Sequence, residues 1–461
     1  MAVTLVLPSS MAGELEKAAC QPLESGGVLT ARILDSPNGD LRLLGREFHS
    51  VHDSAYLRRE TDGLTVASEG YVHALGRAEE DGAIAIWVHT HPGVDSWPRP
   101  SPHDRIVDTQ LADLFRLRTN SDYYGALILS PRERGLCFTG QLHGHDGRTP
   151  SIDRLWIVGD RLRLYRTFDA EQTGLSPSFD RNVRAFGKAV QETLSDLRIG
   201  IVGCGGTGSA VAEQLVRLGV TRFTLIDPDH LSESNVTRVY GSFPRQVGRP
   251  KVDVLSAHLR AVAEGAQVEA VNAMLTTRDA AQTLTGLDVV FGCTDDNAGR
   301  LVLSRAATYL LMPVIDCGVL LTSTTDGTLS GIDGRVTVLT PGQACLVCRG
   351  RVDLSRAAAE LLTPAERVRR ADEGYAPALG AVEPAVVTFT TAVACAAVAE
   401  LLERLIGYGP EYRPSEILLR HHDREISTNS AEPRKNHYCD PITRKIGLGR
   451  TEPFLEQAWA V

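Results

Sequence analysis

LRIGIVGCGGTGSAVAEQLVRLGVTRFTLID, residues 197–227, decides how the C-terminal half of this chain folds. LRIGIVG (197–203) is a short apolar run of the kind buried in a parallel sheet, GCGGTG (203–208) is a glycine turn, AVAEQLVRLG (210–219) has helical apolar spacing, and RFTLID (222–227) is a second strand. Together they make a βαβ unit. Glycines let backbone approach a phosphate closely, and a helix start supplies amide donors and a positive dipole end. Gly203, Gly205, Gly206 and Gly208 are therefore expected to cradle a nucleotide. DVVFGCTD (288–295) and PVIDCGVLL (313–321) read as further buried strands of the same sheet.

Taken alone the glycine turn points to a dinucleotide, but the residues after it do not. Asp227 ends the second strand, where a ribose hydroxyl would be bound; Asn235 and Arg238 follow in DPDHLSESNVTR, and Lys251 in RPKVDVL. A dehydrogenase needs no such row of cations, whereas a triphosphate undergoing cleavage does, because charge spread over its oxygens must be stabilised. Asp295, in GCTDDN at the end of another strand, is placed to hold magnesium on those phosphates. Adenylation fits better than hydride transfer.

This series resembles the ThiF/MoeB and ubiquitin-activating superfamily over residues 180 to about 440. The resemblance implies a Rossmann-like α/β domain that uses ATP to adenylate the C-terminal carboxylate of a ubiquitin-like protein. It implies nucleotide contacts from Gly206 and Asp227, phosphate contacts from Asn235, Arg238 and Lys251, and magnesium on Asp295. It also matches Arg184, in FDRNVRAFG, to an arginine that related homodimers insert into the partner's active site. Arg300 either falls near the same pocket or makes a salt bridge. The substrate carboxylate is its own nucleophile, so catalysis reduces to positioning and charge neutralisation.

The first 145 residues read as an α+β domain, with strand-like runs GGVLTARIL (26–34), GAIAIWVHTH (82–91) and YYGALILS (123–130). An amphipathic helix is expected in HDRIVDTQLADLFRLR (103–118), with Ile106, Leu111, Leu114 and Leu117 at near-helical spacing. His89 and His91 end a strand, and alternation by two puts both imidazoles on one face. With Asp104 they form a set that suits zinc and leaves a position for water. Glu24 is the candidate base, and Ser101 the candidate donor to the water or the oxyanion. His103, His143 and His145 are expected at the surface. Glu, then HTHP, then PSxxD in this order resembles the JAMM (MPN-type) zinc metalloproteases over residues 5 to 145, which cleave bonds after the C-terminus of ubiquitin and its relatives. The resemblance makes His89, His91 and Asp104 the ligands, Glu24 the general base and Ser101 the oxyanion helper. Eight residues separate Pro92 from Ser101, where the family usually has about six.

Cys345 and Cys348 form CLVC, a zinc-type pair. The adenylating family completes that site with a second CxxC; here NHYCDP offers Cys439 and His437, so the alternatives are a Cys345, Cys348, His437, Cys439 clip and a clip without metal. The family's thioester cysteine has no counterpart between Cys348 and Cys395. Cys395 is expected in the core of an apolar helix, and Cys204, Cys293 and Cys317 as small packing groups. Ser355 and Thr363 are alternative acyl acceptors by location alone.

The chain has 461 residues, 43% hydrophobic and 23% charged, which excludes both a single small module and a chain that is mainly disordered. A net charge of -9 argues against a nucleic-acid partner. The longest uncharged stretch, Pro384 to Ala399, is too short to span a bilayer, and the N-terminus is a poor secretory signal, so no membrane role and a cytoplasmic location are expected. Nine cysteines then read as thiols or metal ligands. The expected division is a peptidase domain over 1–150, a linker or terminal elements over 151–180, and an adenylation domain over 181–461. The implied enzyme is bifunctional and bacterial, using ATP, Mg2+ and Zn2+. Its implied partners are a ubiquitin-like or sulfur-carrier protein, a conjugating enzyme and a second copy of the chain. The alternatives are sulfur-carrier activation, in which the peptidase only matures the carrier, and a nucleotide-binding scaffold without catalysis.

Overall fold

A computed structural model describes residues 1–93, 97–133, 135–167, 175–324, 326, 328–363, 365–366, 369 and 385–457. It falls into two units, Met1–Thr173 with Gly447–Arg450, and Gly174–Ile446 with Thr451–Val461.

In the first unit the chain runs β1 (Val3–Pro8), α1 (Ser9–Ala19), β2 (Gly26–Asp35), β3 (Leu41–Ser50), a small hairpin of β4 (Tyr56–Arg59) and β5 (Leu64–Val66), α2 (Val72–Asp81), β6 (Ile84–Thr90), α3 (Pro102–Thr119), β7 (Tyr123–Arg132), β8 (Gly135–Gly144), β9 (Ile152–Val158) and β10 (Arg163–Arg166). The large strands form one mixed sheet, ordered β10-β9-β1-β3-β2-β6-β7-β8. Residues 152–166, expected to be linker or terminal elements, supply two of its strands. Strand alternation sorts the apolar side chains into two cores. Leu29, Ile86 and Val88 pack with Met11 and Leu15 of α1, while Val28 and Trp87 pack with Leu75 of α2 and Phe115 of α3 on the other face. His89, two residues beyond Trp87, therefore emerges on the α3 side.

The expected helix over 103–118 is α3, but its burial differs from the expectation. Asp108, Ala112, Phe115 and Thr119 are buried, whereas Ile106, Leu114 and Leu117 are exposed. Leu111 alone of the four expected residues packs on the core.

The second unit runs α4 (Asp180–Phe186), α5 (Lys188–Asp196), β11 (Arg198–Val202), α6 (Gly206–Arg217), β12 (Arg222–Ile226), α7 (Lys251–Val262), β13 (Gln267–Val271), α8 (Arg278–Thr283), β14 (Val289–Gly292), α9 (Asn297–Tyr309), β15 (Val314–Ser323), β16 (Leu329–Leu339), α10 (Leu354–Glu360), α11 (Val387–Ile406), β17 (Glu416–Arg420) and β18 (Glu425–Asn429). Its sheet is ordered β13-β12-β11-β14-β15-β16-β17-β18, parallel from β13 to β15 and antiparallel beyond. Strand order reverses at β11, so a crevice opens between the carboxyl ends of β11 and β14, the place where open α/β sheets bind ligands.

α11 begins within the expected apolar stretch; Pro384 itself lies outside the described residues. It buries Thr390, Val393, Ala394, Ala397, Val398 and Leu401, a helical stripe against α6 and the β15–β16 pair. Cys395 lies off that stripe and is exposed, contrary to its expected place in the core. No helix among the described residues is long and apolar enough to cross a membrane.

Candidate functional sites

The crevice of the second unit is a cleft of about 1190 Å³, above the roughly 300–1,000 Å³ of a typical ligand pocket, so it has room for a nucleotide and part of a second substrate. It brings together Gly203, Gly205, Gly206, Asp227, Asn235, Arg238, Lys251 and Asp295. The glycines do different jobs. Gly203 has φ +89, and a Cβ there would lie 2.5 Å from the Cys293 carbonyl oxygen. Gly208 is not on the wall; a Cβ there would lie 1.8 Å from the Gly203 carbonyl oxygen, so it lets α6 close onto the turn. At Gly205 a Cβ would meet nothing within 4 Å among the described residues, so its bareness leaves room for a ligand. Gly208→Ala is accordingly expected to cost roughly 1–3 kcal/mol in denaturant unfolding. Gly205→Ala should leave stability unchanged and weaken ATP binding; equal destabilisation by both would contradict this division.

Asp227 is tied into the backbone. Its Oδ2 accepts from the Cys204 amide at 2.6 Å and its Oδ1 from the Asp229 amide at 2.8 Å, so it fixes the glycine turn as well as facing the cleft. Burial pushes its carboxyl up, against the pull of Lys251. Lys251, at the start of α7, places Nζ 2.7 Å from Asp229 Oδ2 and 4.0 Å from Asp227 Oδ1. Of the two neighbouring aspartates after β14, Asp296 is used up in capping α9 through Gly299 N and Thr294 Oγ1. Asp295 has no hydrogen-bond or ion-pair partner among the described residues and lines the cleft, as a cation ligand should.

Both alternatives for Arg300 hold. It lines the cleft and also grips the buried Asp316 through two bonds of 3.0 and 2.6 Å. Cys293 and Cys317, expected as packing groups, have a face on the cleft, while Cys204 is buried. Hydrogen bonding with Cys317 and burial hold Cys293 as a thiol, which disfavours it as a nucleophile. Arg184 is outside the cleft lining; it is 78% exposed and pairs with Asp180 at 2.9 Å. Arg335, Arg351, Arg356 and Arg420 line the cleft without having been expected there. They come from β16, β17 and the turn and helix after the CLVC pair, and no local motif marks them.

In the first unit His89 Nε2 lies 3.5 Å from Asp104 Oδ1, and His91 Nε2 lies 3.6 Å from Asp104 Oδ2 and 3.9 Å from Glu24 Oε1. His89 is buried, yet neither of its ring nitrogens has a hydrogen-bond partner among the described residues. Buried polar atoms are almost always partnered, so an orphaned imidazole beside a second imidazole and a carboxylate fits a metal ion. Burial raises the Asp104 carboxyl, but His89 and His91 outweigh it and hold it below the usual range. Burial raises Glu24.

Ser101 and Asp104 form a capping box at the start of α3: Asp104 N donates to Ser101 Oγ at 3.1 Å, and Ser101 N donates to Asp104 Oδ2 at 2.7 Å. This fixes the carboxylate and leaves the serine hydroxyl proton to donate elsewhere. Ser-x-x-Asp with proline directly after the serine is a helix-start signal visible in the sequence. Part of the longer loop, residues 94–96, lies outside the described residues; after it, Thr139 Oγ1 donates to Pro98 O at 2.5 Å, and the Arg132 guanidinium stacks 4.8 Å over the Trp97 ring. His143, expected at the surface, is half-buried against Tyr124, whose hydroxyl donates to Asp108 at 3.0 Å.

Cys345, Cys348, His437 and Cys439 converge, each able to offer a ligand atom within 4.8 Å of the others. His437 Nδ1 is 3.6, 3.3 and 3.4 Å from the three sulfurs. Hydrogen bonding with Cys439 helps to draw Cys345 down to about 5, despite burial. Three thiols and one imidazole fit a structural zinc.

A mixed sheet whose parallel part carries a glycine turn and cations at its switch point defines a nucleotide-binding α/β unit. Residues 179–440 match the ThiF family, more than half of the chain, and the protein belongs to that family. It is similar to molybdopterin-synthase adenylyltransferase of Escherichia coli (strain K12), 31% identical over 172 residues that cover 37% of this chain and 65% of the relative. It is also similar to ubiquitin-like modifier-activating enzyme 5 of Oryza sativa subsp. japonica, 30% identical over 171 residues, 34% of this chain and 38% of the relative. The chain thus spans less than two thirds of these curated relatives. A crystal structure of E. coli MccB matches with TM-score 0.44 and 17% identity over 58% of this chain and 74% of that one.

Proposed function

We propose that the C-terminal unit is an adenylyltransferase that joins the C-terminal carboxylate of a ubiquitin-like or sulfur-carrier protein to AMP, with release of pyrophosphate. The observation that carries this reading is the meeting, in one cleft, of the glycine turn, Lys251, Arg238 and the carboxylate of Asp295, which has no partner among the described residues. Asp295 would hold magnesium, which screens the charge of the phosphates. Lys251 and Arg238 stabilise charge on the phosphate oxygens, Asn235 orients them, and the bound tail's carboxylate attacks the α-phosphate. Arg184, exposed on α4, would enter the cleft of a second copy in a homodimer. The acyl-adenylate would then pass to a conjugating enzyme or a sulfur donor. ATP–pyrophosphate exchange that depends on an added carrier is the test: the enzyme gives it, and a nucleotide-binding scaffold gives none.

The N-terminal unit we read as a zinc peptidase of the JAMM type that trims the carrier's precursor or removes it from conjugates. His89, His91 and Asp104 would hold the ion, which supplies Lewis-acid chemistry at the scissile carbonyl. Glu24 takes a proton from the attacking water and returns it to the leaving amine, and Ser101 donates to the oxyanion. Cys345, Cys348, His437 and Cys439 would hold a second, structural ion. Metal analysis of the purified chain is expected to find two zinc ions per chain, falling to one in His89→Ala and in Cys348→Ser. Only Cys348→Ser should also lower the melting temperature of the adenylation unit, because only that ion contributes to folding. Unchanged zinc in either variant would contradict its ligand set.

A further inference from the structure

Most cations on the cleft wall are already neutralised. Lys251 pairs with Asp229, Arg300 with Asp316, Arg351 with Glu416 and Arg420 with Glu425, while Arg335 lies between Asp316 and Glu416. Two guanidinium groups that line the cleft, Arg238 and Arg356, have no carboxylate within ion-pair distance among the described residues. Arg238 follows β12 and was expected at the phosphates. Arg356 was expected nowhere.

The position of Arg356 is set by what holds α10. At its start the Asp353 amide donates to Asn297 Oδ1 at 2.9 Å. At its end Glu360 accepts from the Ala298 amide at 2.8 Å and from Asn297 Nδ2 at 3.3 Å. Both ends of α10 are thus fastened to the start of α9, immediately after Asp295 and Asp296. Arg356, between the two fastenings, shares the cleft wall with Asp295, and its acidic neighbour Asp353, at the start of the same helix, is not within ion-pair distance. A cation unpaired among the described residues, on the same wall as a carboxylate that could hold a phosphate-bound metal, is suited to the outer phosphates of a triphosphate.

We propose that Arg356 binds the β- and γ-phosphates of ATP, and so the pyrophosphate that leaves, from within the same chain. This rests on the nucleotide reading above. In the adenylation step the α–β phosphoanhydride bond breaks as the carboxylate–α-phosphorus bond forms, and negative charge moves onto the departing pyrophosphate; a guanidinium there is worth more as that charge grows.

The test compares Mg-ATP and AMP binding by calorimetry to the full-length chain, in the wild type, Arg356→Ala and Arg356→Lys. Arg356→Ala is expected to lose about tenfold in affinity for Mg-ATP and nothing for AMP, with Arg356→Lys between, since a charge-assisted hydrogen-bonded contact contributes about that much. An unchanged melting temperature excludes misfolding, and Arg356 is exposed, so its truncation leaves no buried cavity. Equal Mg-ATP affinity in wild type and Arg356→Ala overturns the proposal while leaving the nucleotide reading in place, as does an equal loss for Mg-ATP and AMP. A wild type that binds no Mg-ATP overturns both.

Discussion

Lys251→Met is expected to cut carrier-dependent ATP–pyrophosphate exchange by about a hundredfold, the scale seen when one preorganised donor is removed from a developing negative charge. Lys251 is buried at the start of α7, and its ammonium is held by Asp229 and, more distantly, Asp227. Methionine keeps the length of the stem and removes the charge alone. Of the two carboxylates left behind, Asp229 is 64% exposed and returns to water at little cost, while the buried Asp227 keeps its bonds from the Cys204 and Asp229 amides, so the loss of stability should be modest. Exchange at the wild-type rate would remove Lys251 from the phosphates.

Glu24→Gln is expected to lower cleavage of a tail-extended carrier by roughly 10²–10⁴-fold, the usual contribution of a positioned acid–base group. Zinc content should not change, because Glu24 is not among the converging ligands. The backbone of Glu24 is fixed on both sides, its amide donating to Glu60 O at 2.8 Å and its carbonyl accepting from Arg59 Nε at 2.9 Å. The amide isostere should therefore occupy the same place without the ability to take a proton. Equal cleavage by the two proteins would end the peptidase reading.

The parts of both sites that the sequence revealed are those whose geometry is local. The turn at Gly203–Gly208 is dictated within a few residues by glycine conformation and helix start, and His89 and His91 share a face because a strand alternates. The remaining features depend on contacts between distant segments. Cys395 and the apolar residues of α3 were assigned by hydropathy, but the buried stripe of each helix is chosen by what packs on it: Phe115 and the hydrogen-bonded Asp108 turn inward while Leu117 stays in water. The antiparallel strands β16 to β18 bring Arg335 and Arg420 to a cleft founded more than 100 residues earlier in the chain. Arg356 depends on two hydrogen-bonded fastenings to α9 that no periodicity encodes.

That one chain first exposes a carboxylate and then activates it is tested most directly by the intact mass of a tail-extended carrier after incubation with the wild-type chain and Mg-ATP. The account predicts a carrier that has lost its extension and gained AMP. It predicts a carrier that keeps its extension and gains no AMP with Glu24→Gln, and one that is trimmed but lacks AMP with Lys251→Met. Precursor that stays unchanged with the wild type, or AMP attached to a carrier whose extension is still present, would contradict it.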